Sequence, residues 1–309
     1  MGTKQISVIL PVYNEENCIA ELLDDIEKYV EAPLEFILVN DGSTDGTLKA
    51  LKEHKTTKKG NSKKIIDLSR NFGHQYALMC GLENVSIDSD IIIVMDSDFQ
   101  DLPQDIPKLL NKLKEGYDCV YAIRQHRHEN LLLKVLSNIF YKIQTKIASF
   151  SIPRDAGIFS IFNKNVHDKI LLFSEVDIYF PALRAYVGYR QTGLPLDRGK
   201  RSFGTSRVGF KGLVDLSLIA LLDFSAMPIR LIFVFGIFIM FFCILACMTV
   251  FIMKVLGITK IPGVTTVIIL IMSFAGIQIM FLGIVGEYIR KMFSESKKRP
   301  RWIVKEIIG

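Results

Sequence analysis

DIIIVMDSDFQD, residues 90 to 101, runs from an unbroken apolar stretch straight into a cluster of carboxylates. So short a run, rich in β-branched side chains, predicts a strand buried on both faces. Four similar runs accompany it: ISVILPV (6 to 12), EFILVN (35 to 40), KIIDLS (64 to 69) and DCVYAI (118 to 123). Residues 15 to 30, 45 to 54, 75 to 84 and 103 to 116 have the pattern of helices between them. Strand and helix in alternation predict an α/β fold whose mostly parallel sheet is covered on both faces.

In such sheets ligands gather at the carboxyl ends of the strands. Those ends read PVYNE, NDGSTDGT, SRNFGHQ and DSDFQD. Neither GxGxxG nor GxxxxGK[ST] occurs, so the dinucleotide fingerprint and the P-loop are both absent. Asp96 and Asp98, two apart at a strand end, project to one side of the sheet edge. Two hard oxygen donors on a short arm suit Mg²⁺ or Mn²⁺ while leaving positions open for diphosphate oxygens. Gln100 shares their parity as a neutral ligand, and Asp41 ends another strand. Ser43, Thr44 or Asp45 also offers a helix cap, a role that accounts for much of NDGSTDGT apart from Asp41.

Outward from this domain the composition changes. Half of the 309 residues are hydrophobic and the mean hydropathy is +0.29, too apolar for an ordinary soluble enzyme. The formal charge of +6 is uneven: residues 1 to 226 have a net charge of −1, residues 227 to 286 of +3, and residues 287 to 309 of +4. A nucleic-acid-binding domain would concentrate positive charge on its folded part, so that class is excluded, as are disorder, collagen and a disulfide scaffold. Five cysteines, at 18, 80, 119, 243 and 247, form no CxxC pair, which argues against a structural zinc site. The first residues reach Pro11 and then charge too soon for a signal peptide, and Ile6 stands where a myristoylation motif needs Ser or Thr.

Residues 231 to 253 and 261 to 286 carry no charge, and each run exceeds the roughly 20 residues that cross a bilayer as a helix. Buried core helices are the alternative. Arg230, Arg290, Lys291, Lys297, Lys298, Arg299 and Arg301 flank the runs on one side, against Lys254 and Lys260 in the hairpin between them. That bias predicts a multi-pass protein of the cell membrane with both termini in the cytoplasm. The expected organisation is a catalytic domain over 1 to 207, a juxtamembrane helix over 208 to 229, spans over 230 to 254 and 261 to 286, and a basic tail over 287 to 309. Residues 131 to 150 repeat apolar and lysine stripes, which fits either an interfacial helix or one packed on the domain. Arg190, Arg198, Lys200, Arg201 and Arg207 place positive charge just before the membrane. Gly236, Gly276, Gly283 and Gly286 offer small surfaces for helix packing, compatible with a homo-oligomer.

Seven ordered motifs then carry a resemblance: PVYNE (11 to 15), NDGSTDGT (40 to 47), LSRNFGHQ (68 to 75), MDSDFQDLP (95 to 103), DAG (155 to 157), GYRQTGLPLDR followed by RSFGTS (188 to 206), and GIVGEYIRKMFSESKKRP (283 to 300). The chain resembles glycosyltransferase family 2, and within it the polyprenyl-phosphate glycosyltransferases, such as the dolichol-phosphate mannosyltransferases and bactoprenol glucosyltransferases. The resemblance implies a GT-A fold with a Rossmann-like, mostly parallel sheet, followed by the juxtamembrane and two transmembrane helices. It also implies a nucleotide-sugar donor, a divalent cation (Mg²⁺ or Mn²⁺), and inverting transfer to a membrane polyprenyl phosphate; the sugar and base stay open, with a UDP-sugar and undecaprenyl phosphate the expected pair for a bacterial source. The product would serve cell-envelope glycan or glycolipid modification.

By matching motifs, Pro11, Tyr13, Glu15, Asp41 and Asp96 would hold the nucleotide sugar, and Asp96, Asp98 and Gln100 the metal. Arg124, Arg201 and Ser206 would meet the acceptor phosphate. The catalytic group would comprise Asp98, Arg124 and Asp155, the last orienting the donor sugar or acceptor, with a base role left open. Asn40 departs from the family's DDGS-type motif, and His74 and Gln75 receive no role. The competing readings are transfer to a lipid hydroxyl, which demands a true base, and a non-catalytic nucleotide-sugar-binding scaffold. A processive synthase is disfavoured, since the single tryptophan, Trp302, lies in no QxxRW motif.

Overall fold

The computed structural model describes residues 5 to 124, 156 to 176, 178 to 197, part of 236 to 256, and 264 to 309. The chain divides into two units, one of residues 1 to 213 with 299 to 309 and one of residues 214 to 298, taken here in turn.

The first unit is built on the expected alternation: β1 (Gln5–Val12), α1 (Ile19–Tyr29), β2 (Leu34–Asn40), α2 (Thr47–Glu53), β3 (Ser62–Leu68), α3 (His74–Glu83), β4 (Ser89–Val94), a 3-10 turn (Pro103–Asp105) leading into α4 (Ile106–Lys114), and β5 (Cys119–Arg124). There follow β6 (Ala156–Asn163), α5 (Lys164–Ile170), α6 (Phe180–Tyr186), β7 (Gln191–Leu196) and, after the second unit, β8 (Val304–Ile308). The sheet order is β7-β5-β6-β4-β1-β2-β3-β8. β3, β2, β1 and β4 pair in parallel, as do β5 and β7, whereas β6 and β8 run antiparallel to their neighbours.

The continuous apolar runs follow from burial on both faces. Along β1, Val8, Leu10 and Val12 join the core beneath α1, while Ile9 points into the core beneath α3. β2 divides likewise, Phe36 and Leu38 to one side and Ile37 and Val39 to the other. α1 buries Ile19, Leu22, Leu23 and Ile26, the spacing of a single helical face. Three of the seven lysines between Lys49 and Lys64 end helices. Lys58 donates to the carbonyls of Glu27 and Val30 at the end of α1, Lys63 to Leu51 and His54 after α2, and Lys64 to Asn84 after α3. Cations suit the negative end of a helix dipole, so these three lysines act as caps.

β8 extends the first unit beyond the expected tail. Trp302 packs on the core beneath α3, and Arg301 pairs with Glu83 at 2.7 Å and donates to the Phe173 carbonyl at 3.3 Å. Most of β8 is exposed, so its sequence shows no buried alternation to read.

In the second unit α7 (Val264–Ser296) is a continuous helix of 33 residues. At 1.5 Å per residue it is roughly 50 Å long. Among the described residues, no helix is long and apolar enough to cross a membrane. The absence of charge from 264 to 286 is a property of the sequence. The interfacial stretch 131 to 150 and the juxtamembrane helix 208 to 229 lie outside the described residues, as does much of the span 230 to 254.

Candidate active site

The loops at the carboxyl ends of β1, β2, β3 and β4 are fastened to one another. The loop after β1 is stitched to NDGSTDGT: the Asn14 amide donates to Ser43 Oγ at 3.0 Å, Asn14 Oδ1 accepts the Thr44 amide at 2.9 Å, and the Glu15 amide donates to Thr47 Oγ1 at 2.8 Å. Asn14 has φ of 56°, the left-handed conformation that asparagine tolerates. The capping expectation is partly corrected. Gly46 is the N-cap of α2, while Asp45 Oδ1 accepts the Thr47 amide at 3.0 Å; Ser43 and Thr44 serve the β1 loop instead.

Asp41 is buried, and its carboxylate is held by the loop after β3. Its two oxygens accept the amides of Phe72 at 2.7 Å and Gly73 at 3.0 Å. Burial pushes its pKa up despite these amides and the charges of His74 and Arg70. Behind it, Asn40 donates to Asp67 Oδ1 at 2.6 Å, which gives the departure from DDGS a bond of its own.

After β4, Asp98 is pinned at both oxygens: Oδ1 accepts the Gln100 amide at 3.1 Å and Oδ2 accepts Gln100 Nε2 at 2.5 Å. Asp96 Oδ1 lies 2.9 Å from His74 Nε2, and the Asp96 amide donates to Asp101 Oδ2 at 3.1 Å. His74 is 42% exposed at its side chain. Desolvation pulls its pKa down, but the bond to Asp96 and the charges of Asp96, Asp41 and Asp98 outweigh it and raise the pKa above the ordinary value. Cys18 donates to Glu15 Oε2 at 3.2 Å. Burial, then Glu15, then the charge of Asp98 push the thiol up to about 12, so it acts as a neutral donor.

The donor set can be tested against a cation. Among the described residues no group of three or more His, Cys, Asp or Glu side chains could hold a metal. Asp96, Asp98 and Gln100 offer hard oxygens too few for an octahedron, which fits a cation that takes its remaining ligands from a diphosphate and water.

A protein-family model described as glycosyl transferase family 2 matches residues 7 to 171, and those residues contain every loop just described except the β7 side of the sheet. The chain belongs to glycosyltransferase family 2. This family 2 chain is 33% identical to the uncharacterized glycosyltransferase YkcC of Bacillus subtilis, over 99% of this chain and 94% of that one. It is 29% identical to the undecaprenyl-phosphate 4-deoxy-4-formamido-L-arabinose transferase of Proteus mirabilis, again over 99% and 94%. A crystal structure of glucosyl-3-phosphoglycerate synthase from Mycobacterium tuberculosis, with Mn²⁺, UDP-glucose and phosphoglyceric acid, covers 70% of this chain and 79% of that chain at 21% identity and a TM-score of 0.48. The protein is a glycosyltransferase, and its first unit has the GT-A-like α/β fold with a mostly parallel sheet.

Within this family 2 domain the structure brings Glu15, Asp41, Asp96, Asp98 and Gln100 to one edge of the sheet, with Pro11 in β1 accepting Ser97 Oγ at 2.9 Å. The backbone of Arg124 ends β5 on that edge, in register with Leu196. Asp155, Arg201 and Ser206 lie outside the described residues. Just after Asp155, the Gly157 carbonyl accepts Arg184 Nη1 at 3.1 Å. The buried guanidinium of Arg184 packs 4.5 Å from the Tyr121 ring, and burial pulls its pKa down.

Arg190 is a correction. Sequence grouped it with the basic residues just before the membrane, but it precedes β7 at the amino end, beside Cys119 rather than Arg124. Five residues of strand put it roughly 17 Å from the site edge. There its guanidinium lies 4.7 Å from the Tyr117 ring and its amide donates to Asp118 Oδ2 at 3.1 Å. His74 and Gln75 are the reverse case, left without a role by the motifs yet bonded to Asp96 and to the Phe180 amide. Nothing local signals a partner that is distant in sequence.

Proposed function

We propose that this enzyme transfers a sugar, with inversion, from a UDP-sugar to undecaprenyl phosphate in the membrane, using Mg²⁺ or Mn²⁺. The observation that carries the reading is similarity over 99% of the chain, α7 included, to a protein named as an undecaprenyl-phosphate glycosyltransferase.

In this reading Pro11, Tyr13, Glu15, Asp41 and Asp96 bind the nucleotide sugar, and Asp96, Asp98 and Gln100 face the metal-bound diphosphate. The cation that Asp96, Asp98 and Gln100 would hold would, when bound, supply positive charge against the leaving diphosphate. Gln100 and His74 restrict the rotamers of Asp98 and Asp96, so little reorganisation is left for the moment of transfer. An acceptor phosphomonoester has a second pKa near 6, is largely ionised at pH 7, and needs little help from a base. Asp155 then serves chiefly to orient the sugar or the acceptor, while Arg124, Arg201 and Ser206 take the acceptor phosphate, for which a guanidinium fork is well shaped.

Residues 230 to 254 and 261 to 286 form the two spans of this reading, with the domain over 1 to 207 and both termini on the cytoplasmic face. The continuous α7 supports it, with Leu270, Ile271, Ile279, Leu282 and Val285 exposed along one long helix. The test is to incubate the full chain in detergent with Mg²⁺ or Mn²⁺, undecaprenyl phosphate and a panel of nucleotide sugars, and to weigh the lipid product. One donor yielding a lipid-linked sugar is the expected result. Transfer only to a diacylglycerol hydroxyl, or no metal-dependent transfer from any donor, overturns the reading.

A further inference from the structure

Residues 72 to 76 join three separate parts of the first unit. The amides of Phe72 and Gly73 hold Asp41 after β2, His74 Nε2 meets Asp96 after β4, Gln75 Oε1 accepts the Phe180 amide at 2.9 Å, and Tyr76 donates to the Val176 carbonyl at 2.6 Å. The bonds of Gln75 and Tyr76 fasten α3 to the segment that leads into α6, and those to Asp41 satisfy a buried carboxylate. His74 stands apart from them: its ring is 42% exposed, and Asp96 is partly exposed at the site edge. With the ring open to water and Asp96 Oδ1 buried beside it, the effect of the contact is on where the Asp96 carboxylate points.

We propose that His74 is a positioning residue of the donor site. By holding Asp96, while its neighbours hold Asp41, it fixes the carboxylate after β4 relative to the carboxylate after β2, and hence the diphosphate end of the donor site relative to its nucleoside end. The role requires an N–H at Nε2, which the protonated ring and the Nε2–H tautomer of the neutral ring both carry. The inference rests on the reading of Asp96 as part of the diphosphate site.

Glutamine carries an N–H at the position of Nε2 without the ring, so His74→Gln is the conservative variant and His74→Ala the deletion. The full chain in detergent is titrated calorimetrically with Mn²⁺ plus whichever of UDP and GDP binds more tightly. His74→Ala is expected to weaken binding about fivefold. His74→Gln should stay within about twofold, with both variants melting alongside the wild type. Asp96→Ala should weaken binding further, and His74→Ala should add nothing to it. The proposal is overturned if His74→Ala binds like the wild type, if the glutamine variant is as weak as the alanine variant, or if the alanine loss persists in the Asp96→Ala background. That last result would mean that His74 touches the ligand itself. Should Asp96→Ala bind normally, the donor-site reading of Asp96 falls and this proposal with it; a loss in Asp96→Ala alone removes only the proposal.

Discussion

Lys305 Nζ lies 3.3 Å from Asp67 Oδ2, and the other oxygen of the same carboxylate accepts the Asn40 side chain at 2.6 Å. The end of the chain thus returns to brace the residue preceding Asp41. Two levels of effect can be separated. Lys305 is 64% exposed while Asp67 is buried and keeps its bond to Asn40, so Lys305→Ala should lower Tm by up to about 4 °C, and by less than loss of the whole strand. Ending the chain at Trp302 removes β8 and bares the edge of β3, and should lower Tm by at least about 3 °C. Thermal denaturation of the three chains decides it; a truncated chain melting with the wild type would show that β8 is dispensable.

Gly42 and Gly73 should respond unequally to alanine. Both have positive φ, 63° and 107°. A Cβ at Gly42 would lie 2.3 Å from the backbone carbon of Arg70, whereas at Gly73 nothing lies within 4 Å. Gly73→Ala therefore carries backbone strain alone, of about 1–3 kcal/mol. Gly42→Ala adds an overpacking penalty of about 1–3 kcal/mol to its strain and should also pull the β2 and β3 loops apart. Denaturant unfolding that ranks Gly73→Ala as the worse of the two would contradict this.

Glu27 supplies a pH signature. It is buried, which alone raises its pKa, but bonds from Thr57, Asn61 and Lys58 outweigh burial and hold the pKa below the ordinary glutamate value of 4.5. A depressed folded-state pKa contributes stability that is present above the unfolded value and is lost as pH falls through the folded one. Glu27→Gln should be destabilised at neutral pH, with the gap from the wild type closing as pH drops below 4.5. Melting curves between about pH 3 and 7 read this directly. A gap that widens toward acid refutes the assignment.

Metal and nucleotide should bind synergistically. Asp96, Asp98 and Gln100 supply only part of a coordination shell, and no larger cluster of ligands exists among the described residues. Mn²⁺ should therefore bind at least about tenfold more tightly when a nucleoside diphosphate is present. Free Mn²⁺ measured by electron paramagnetic resonance, with and without UDP or GDP, tests it. Equal affinity in both conditions would point to a self-sufficient metal cage instead.

Sequence by itself determined the five strands from β1 to β5 and the helices between them, because burial on both faces writes each strand as a local apolar run. It also located the polar residues at the strand ends, where Asp41, Asp96, Asp98 and Gln100 do meet at one edge. It did not show that β6 enters antiparallel between β4 and β5, that β8 returns from beyond α7, or that Arg190 stands at the far end of the sheet. Strand order and register are settled by pairings between distant segments, and β8, largely exposed, leaves no periodic trace in the residues that form it. The pairing of His74 with Asp96 belongs to the same class. Residue types and spacing carry local propensity, but which two side chains lie 2.9 Å apart is decided only when the sheet brings the loops after β3 and β4 to a common edge.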